Sequence, residues 1–426
     1  MKRTFRGAAI AMLTLCAILF TSSCAIISGS NSQGDTEEYM TKDEVNRLIA
    51  GIQQNVTVEG GDSYNVTINS DGSKNLLAAS KALLSAVSIS CTFKVTTSGY
   101  FGVSTSKKET AGSGVIYKLD KNTGDAYVIT NYHVVYYKGA DTEDDICDDI
   151  KLYLYGQEYD QYAIYAEYIG GSKNYDIAVL KVKGSDVLKA SNAVAVELAD
   201  SDDVCVLDTA IAIGNPVAIG ISATVGSVNV DSEDLTMTSI DGTGRTTLRV
   251  MRIDAAVNGG NSGGGLFNDD GKLIGIVNAK ITDSTIDNIG YAIPSNVARN
   301  VAENIIYYDK ENPDNDCVYR ILIGVSVGIA AARTEYDTET GKVHKIEEVK
   351  VESVSLGSLS EGKIQVGDII ESVTIDGVEY KIQRTHNVID VMLNARANSS
   401  LSLKIKRGTE TITVSFDLTN ASLTAY

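Results

Sequence analysis

The chain has 426 residues, a formal net charge of −18, 43% hydrophobic residues, 38 glycines, 3 prolines and no tryptophan. This composition excludes collagen-like, low-complexity and multi-span membrane proteins, and the length is that of about two to four domains. The acidic balance also argues against nucleic acid as a partner, because binding a phosphate backbone requires a basic surface.

The first segment predicts export. Three cations within Met1–Arg6 precede an apolar run from Ala8 to Phe20. A membrane-spanning helix needs about 20 residues, so the run is typical of a signal peptide, here residues 1–23. Small residues then precede Cys24, as in bacterial lipoproteins, and we expect lipidation at Cys24. Simple cleavage and an uncleaved anchor are the alternatives, and all three place the protein outside the cytoplasm, in a bacterial cell envelope.

The next segments read as a tether followed by small elements. Residues 24–40 are polar and aperiodic, as a tether requires. Within residues 41–86, apolar side chains at helical spacing predict a short helix over Val45–Ile52, and alternation over 55–68 predicts a β-hairpin. A second helix is predicted from Lys74 to Leu84. Helices this short are marginal alone, so we expect them to pack on a neighbouring domain or subunit.

Residues 87–308 predict an all-β body. Short β-type runs separated by Gly, Asn and Asp are typical of a barrel or sandwich. The clearest runs are Gly114–Tyr117, Ala126–Ile129, Ile177–Leu180, Ala210–Ile213 and Leu273–Val277. Helical character returns from Ser295 to Ile306, where Ser295 is a candidate N-cap.

The chain beyond this body predicts a second folded domain. Residues 309–317 are polar and turn-rich and indicate a linker. Residues 318–420 then combine β runs with a helix-like segment from Thr385 to Ala397. The domain ends with two predicted strands, Leu401–Lys406 and Thr411–Phe416.

The cysteines after Cys24 are widely and irregularly spaced: Cys91, Cys147, Cys205 and Cys317. No CxxC pair occurs, which argues against a metal site. Disulfides are possible in an exported chain, but buried thiols are the preferred interpretation.

Two segments could supply the parts of a nucleophilic site. His133 directly follows a β run, which suits a general base, although a lone histidine is more often structural. Ser262 lies among five glycines between Gly259 and Gly265. A hydroxyl nucleophile needs a base, and its oxyanion needs pre-aimed N–H groups that glycines let the backbone present. Phosphate binding is the alternative, but the P-loop lysine is missing and no helix signal follows.

Asp176 is the third candidate. It opens an apolar strand, where it is either a turn residue or a buried carboxylate that needs a partner such as a histidine N–H. The chain order His133, Asp176, Ser262 is that of the chymotrypsin fold, and differs from the orders of subtilisins and α/β-hydrolases.

Five motifs in register resemble those of the HtrA/DegP family of trypsin-like serine endopeptidases. They are TNYHVV, YDIAVLKV, AIGNP, GNSGGGLFNDDGKLIGIV and GYAIP. The resemblance implies a chymotrypsin-like double β-barrel with the site in the cleft between barrels and no cofactor. It implies His133 as general base, Asp176 as its orienting acid and Ser262 as nucleophile. The oxyanion hole would be formed by Gly260 and Ser262, helped by Asn261.

Two departures from the family pattern bear on activity. Gly259 stands where the family usually has proline, which predicts a more mobile resting loop that depends on substrate or partner binding. The specificity pocket would be walled by Asn278, Ala279, Lys280 and Ile281. Lys280 is unusual there, and either faces solvent or admits an acidic or polar residue.

The segments Arg320–Val327 and Glu361–Ile370 resemble a PDZ domain, which implies an α+β fold that binds C-terminal peptides by strand addition. By position, Ile323, Gly324 and Val325 would cradle the carboxylate, and the segment Thr385–Ala397 would close the groove. Arg320 either adds charge attraction or is solvated. The other two histidines, His344 and His386, are expected at the surface.

These observations predict an extracytoplasmic endopeptidase of protein quality control that acts on unfolded or C-terminally exposed polypeptides. The family usually assembles as trimers, so a homotrimer is expected, with a membrane contact through the lipid anchor or signal segment. A regulatory site-specific protease and a catalytically silent PDZ scaffold are the alternatives.

Overall fold

The computed structural model describes residues 74–99, 102–215, 220–279, 289–311 and 317–426. The predicted signal peptide, Cys24, the tether, the helix over Val45–Ile52 and the hairpin over 55–68 lie outside the described residues. Among the described residues, no helix is long and apolar enough to cross a membrane.

The described chain begins with helix α1 (Lys74–Leu83), which confirms the helix predicted there. Ala78 and Ala82 are buried in a core that includes strands of the second barrel. Lys74 also forms an ion pair with Asp269 at 2.6 Å. The small alanine side chains let this short helix lie close to the barrel, which supplies the stability that its length does not.

The first barrel is closed by six antiparallel strands in the order β1-β2-β3-β6-β5-β4. The strands are β1 (Ala86–Gly99), β2 (Gly102–Asp120), β3 (Asp125–Thr130), β4 (Ile150–Leu154), β5 (Ile164–Ser172) and β6 (Ile177–Val182). A one-turn helix α2 (Tyr132–Val135) follows β3, and α3 (Asp186–Ala190) follows β6. Alternation along β4 shows how the interior fills, because Ile150, Leu152 and Leu154 are buried while the residues between them are partly exposed.

The second barrel is closed by six strands in the order β10-β11-β12-β9-β8-β7. They are β7 (Thr209–Gly214), β8 (Ser222–Thr238), β9 (Arg245–Ile253), β10 (Gly265–Phe267), β11 (Leu273–Val277) and β12 (Gly290–Pro294). The five β runs singled out in the sequence all lie within strands of the two barrels.

Helix α4 (Ser295–Glu311) follows the second barrel and extends further than predicted. The expected linker at 309–317 is therefore wrong in its first three residues. Asp309 is buried and pairs with Lys181 of the first barrel at 2.8 Å, which fixes the last turn of the helix.

The C-terminal body contains a sheet in the order β14-β15-β16-β18-β19, with β17 paired to β16, and a separate pair β13-β20. The strands are β13 (Tyr319–Ile321), β14 (Val325–Tyr336), β15 (Val343–Val354), β16 (Ile369–Ile375), β17 (Val378–Lys381), β18 (Ser400–Arg407), β19 (Glu410–Asp417) and β20 (Leu423–Ala425). The predicted final strand pair is confirmed as β18 and β19. Helix α5 (Thr385–Met392) begins where predicted but ends earlier than Ala397.

The C-terminal body packs on the second barrel through charged groups. Arg249 of β9 donates to the Asp390 carboxylate of α5 and, at 2.8 Å, to Asp202. Although burial favours the neutral acid, His386 and the Arg249 guanidinium hold the pKa of Asp202 well below its ordinary value. His386 and His344, which were expected at the surface, are half-buried: His386 lies 3.4 Å from Ser232 Oγ, and His344 Nδ1 lies 3.5 Å from Cys205 Sγ.

Candidate active site

The structure brings His133 and Asp176 together. His133 lies in α2, directly after β3, and its Nδ1 is 2.7 Å from Asp176 Oδ2. The backbone N–H of His133 donates to the other carboxylate oxygen at 3.0 Å. The same carboxylate therefore holds both the imidazole and the backbone of His133.

Asp176 is almost fully buried, with 1% of its surface exposed. It sits at the turn into β6 with φ of +50°, a left-handed conformation that aspartate tolerates better than most side chains. Besides His133, the side-chain amide of Asn278 donates to Oδ2 at 2.7 Å. A buried carboxylate needs such donors, so the interpretation of Asp176 as a partnered acid fits its surroundings better than a solvated turn residue.

Ser262 is the third candidate, and its side chain is buried beside the same cluster. Its Oγ accepts a hydrogen bond from the Ala279 N–H at 3.2 Å. Among the described residues, no hydrogen bond joins Ser262 to His133. A rotation of the serine side chain is therefore needed before the hydroxyl can give its proton to the imidazole.

The loop before Ser262 is a tight turn. The Asn261 N–H donates to Asn258 O at 3.0 Å, and Gly260 has φ of +97°, as position three of a type II turn requires. In a type II turn the central peptide, here between Gly259 and Gly260, is flipped relative to its orientation in a type I turn. Within the described part of the chain, the N–H groups of Gly260 and Ser262 have no acceptor. Two donors are thus available close to the Ser262 hydroxyl.

Asn261 does not contribute its backbone N–H in the same way, because that group is used inside the turn. Its side chain is buried, and Oδ1 has no hydrogen-bond partner among the described residues. The backbone of Asn261 therefore shapes the turn, and help to the oxyanion hole from its side-chain amide stays a prediction.

Ser113 of β2, which the sequence did not single out, holds this loop in place. Its N–H donates to Ser262 O at 2.8 Å, and its hydroxyl donates to Gly260 O at 2.7 Å. The same hydroxyl accepts from the Asn215 N–H at 2.8 Å. A serine between two glycines at the start of an apolar run is the one sequence signal that could have found it.

The residue after Ser262 explains why the loop must be glycine-rich. Gly263 has φ of +83°, and a Cβ there would lie 2.2 Å from both Ser113 O and Thr130 Oγ1. The Gly263 N–H donates to Val277 O at 2.9 Å, which ties the loop to β11. The close approach of β2 and β3 to the loop therefore excludes any side chain at this position.

The four residues predicted to wall a specificity pocket have different places. Asn278 is fully buried and directs its amide to Asp176, so its side chain supports the acid and does not line an open pocket. Ala279 contacts Ser262 Oγ through its N–H. Lys280 and Ile281 lie outside the described residues.

The three residues predicted to cradle a peptide carboxylate form the turn between β13 and β14. Ile323 is buried, Gly324 has φ of +78°, and Val325 begins β14. Their carbonyls are used internally, since Ile323 O accepts from Ser360 and Gly324 O accepts from Ser355. No acceptor for the N–H groups of Ile323 and Gly324 occurs among the described residues.

Arg320 is packed against aromatic side chains and is not the solvated residue that was one of the two roles considered for it; charge attraction stays a prediction. Its guanidinium stacks 3.5 Å from the ring centre of Tyr426 and donates to the Tyr175 hydroxyl at 3.4 Å. Tyr175 directly precedes Asp176, and burial raises the pKa of Tyr175 to about 12 despite the nearby cation. The side chain therefore links the start of the C-terminal body to the turn that carries the acid.

The chain is similar in sequence to known serine proteases. Residues 112–276 match a trypsin-like peptidase domain. The chain is 39% identical over 196 residues to the serine protease Do-like HtrA of Bacillus subtilis (strain 168), covering 46% of this chain and 39% of that protein. It is 33% identical over 244 residues to the periplasmic serine endoprotease DegP of Escherichia coli (strain K12), covering 55% of this chain and 41% of that protein. The matches thus span about two fifths of these relatives' own lengths.

Among solved structures, the HtrA-type protease AlgW with tripeptide is 25% identical to this chain. The match covers 81% of this chain and 96% of that chain, with a TM-score of 0.49.

Proposed function

The chain carries an HtrA-like serine protease domain of the trypsin type, and from this premise we propose that it hydrolyses peptide bonds by a Ser-His-Asp acyl-enzyme mechanism. The observation that carries the proposal is the buried Asp176 carboxylate, which is 2.7 Å from His133 Nδ1 beside a serine loop with two N–H groups that have no acceptor among the described residues. These are the parts that nucleophilic acyl transfer requires.

The reaction begins when the Ser262 hydroxyl turns from Ala279 to His133. His133 Nε2 takes the hydroxyl proton as Oγ attacks the substrate carbonyl, and Asp176 stabilises the imidazolium that forms. The imidazolium then gives that proton to the leaving amine, which leaves an acyl group on Ser262. Water, deprotonated by the same imidazole, releases the acid product and restores the serine.

Gly260 and Ser262 supply the oxyanion hole through their N–H groups. Ser113 holds the carbonyls of the same two residues, which anchors the loop, while the peptide that carries the Gly260 N–H keeps the backbone freedom that Gly259 allows. Donors that need no reorganisation are worth most in catalysis, and loss of one typically lowers kcat by about 10²–10³-fold. Asn278 acts on the acid, since its amide donates to Asp176 Oδ2 and so helps to orient the carboxylate that contacts His133.

The C-terminal body is a PDZ domain that presents polypeptide C-termini to this site. Strand β14 lies at one edge of its sheet, and α5 packs beside it. An extended peptide added to such an edge places its terminal carboxylate at the turn of Ile323, Gly324 and Val325, where two N–H groups have no described acceptor. The substrates are therefore unfolded or C-terminally exposed proteins of the cell envelope.

The decisive test compares the wild-type chain with Ser262→Ala on unfolded casein, with cleavage products identified by mass spectrometry. We expect fragments with wild type and intact casein with the variant. Equal loss of intact casein with both would contradict the proposal, and no loss with either would favour a silent scaffold. The cleavage products also identify the residue before each cut, which tests whether Lys280 admits an acidic or polar residue there.

The peptide site has a separate test. A fluorescent apolar peptide with a free carboxylate should bind the Ser262→Ala chain more tightly than the same peptide with an amidated end. Equal binding of the two peptides would show that the cradle does not read a C-terminus, without affecting the proposal for the protease site.

Assembly and anchoring follow from the sequence. A homotrimer formed through N-terminal segments predicts three times the chain mass in solution, which light scattering measures. A lipid on Cys24 predicts a mature N-terminal peptide that begins at this cysteine and carries the acyl mass.

A further inference from the structure

Two cysteines that are far apart in sequence are neighbours in the first barrel. Cys91 lies on β1, where it pairs with Ile150 of β4, and Cys147 lies in the segment that leads into β4. The Cys147 thiol is 3.6 Å from the carbonyl oxygen of Thr92, the residue next to Cys91. Both cysteines also belong to the same buried core cluster of the first barrel.

The backbone around the pair is well anchored. The Thr92 N–H donates to Asp149 O at 3.1 Å, which continues the β1–β4 ladder toward Cys147. The Cys147 N–H donates to Val135 O at 2.9 Å, at the end of the helix that carries His133. Both cysteines therefore lie on backbone segments that hydrogen bonds hold next to each other.

The two thiols face different surroundings. Cys91 is completely buried in the apolar core of the first barrel. Cys147 is also buried, but it belongs to the lining of a groove of about 1150 Å³ together with Thr142, Tyr168, Lys181 and Lys310. A reagent in solution can thus approach the pair from the side of Cys147.

The directions of the two pKa shifts also favour Cys147 as the thiol that reacts first. Contact with Cys147, followed by burial, raises the pKa of Cys91 well above its ordinary value. The hydrogen bond from Cys91 lowers the pKa of Cys147. Since the thiolate is the reactive form, Cys147 is the better first nucleophile.

We propose that Cys91 and Cys147 form a reversible dithiol–disulfide site, in which Cys147 reacts first with an oxidant from the groove and Cys91 completes the bond. The co-reactant is a small-molecule disulfide. When the bond forms, it covalently joins β1 to the segment before β4, which is the seam where the first barrel closes.

The exchange is balanced in two steps. The Cys147 thiolate attacks one sulfur of the small disulfide, which forms a mixed disulfide and releases one small thiolate. Cys91 loses its proton and attacks Cys147 Sγ, which forms the protein disulfide and releases the second small thiolate. Two protein thiols are oxidised, one small disulfide is reduced to two thiols, and the protons pass to the released thiolates.

The test exposes the reduced full-length chain to a series of ratios of oxidised to reduced glutathione, blocks the remaining thiols with a maleimide and maps peptides without reduction. We expect the wild-type chain to give one cross-linked peptide that joins Cys91 to Cys147, and reductant to reverse it. In Cys91→Ser, the second step is impossible, so Cys147 should retain one glutathione. Cys205→Ser is the matched control and should form the cross-link as wild type does.

Three results would overturn the proposal. One is that both cysteines of the wild-type chain, quenched with acid and labelled in denaturant, are recovered as maleimide adducts at every ratio. Another is that wild type accumulates glutathione on Cys147 to the same extent as Cys91→Ser. The third is that the cross-link joins Cys91 or Cys147 to a different cysteine. If Cys91→Ser fails to fold, the wild-type peptide map decides the question alone.

Discussion

Replacing Gly259 with proline tests whether the serine loop is held back by its own backbone freedom. Gly259 occupies the second position of the type II turn from Asn258 to Asn261, where proline is commonly found. A Cβ at Gly259 would meet no atom within 4 Å, and its N–H has no acceptor among the described residues. The substitution Gly259→Pro therefore adds a ring without removing a described contact.

The expected gain follows from the lost freedom of the loop. A compatible proline stabilises the folded conformation by about 0.4–1 kcal/mol, chiefly by reducing the entropy of the alternatives. Suppose that the same free energy separates the turn that exposes the Gly260 N–H from the other loop conformations. The population of this turn relative to the other conformations then rises roughly 2- to 5-fold. We expect basal kcat to rise by up to this factor, with little change in KM.

The assay is steady-state hydrolysis of unfolded casein without any added C-terminal peptide. Gly259→Ala is the matched control, because it fills the same open space and restricts the backbone less, so a smaller gain is expected. Unchanged basal turnover in Gly259→Pro, with a raised or unchanged Tm, would refute the idea that loop freedom limits activity.

Three further substitutions probe the supports of the site. Ser113→Ala leaves the Gly260 carbonyl without its side-chain donor, so it should lower the free energy of unfolding by about 1–3 kcal/mol and kcat by at least tenfold. Ser106→Ala, at an exposed serine of the same strand, is the control and should change neither quantity. Asn278→Leu removes a hydrogen-bond donor from the Asp176 carboxylate, so it should lower kcat and change KM by a smaller factor. A change of the same factor in kcat and KM would contradict a positioning role. Arg249→Met leaves the buried Asp390 carboxylate of α5 without its cation, so it should destabilise the packing of the C-terminal body on the second barrel by about 3–5 kcal/mol, measured as a fall in Tm. An unchanged Tm would show that this ion pair does not support the fold.

The candidate site could be predicted because its chemistry depends on local sequence. His133, Asp176 and Ser262 each lie beside a short apolar run, and the glycines around Ser262 are required by the backbone itself. Alternation and turn residues predicted the barrel strands for the same reason, since these patterns act over a few neighbouring residues. The final strands β18 and β19 were predicted within one residue at each end.

Contacts between distant segments could not be predicted in this way. The roles of Ser113 and Asn278 depend on β2 and the end of β11 passing beside the serine loop. The sequence around a single serine or asparagine does not indicate which distant residue its side chain contacts. The end of α4 was misjudged for a similar reason. The sequence over 309–311 is that of a turn, but the ion pair between Asp309 and Lys181 supports another helical turn.

The sequence by itself indicated the class of chemistry that we propose, because a nucleophile, its base and its acid must be particular residue types in a particular chain order. Only the tertiary structure decided how these parts are held: that Asp176 is buried with an amide beside His133, and that Ser262 bonds to Ala279 in the resting state. It also decided that Cys91 and Cys147 meet. Proximity between residues of different strands depends on how the barrel closes, and barrel closure is a property of the whole sheet.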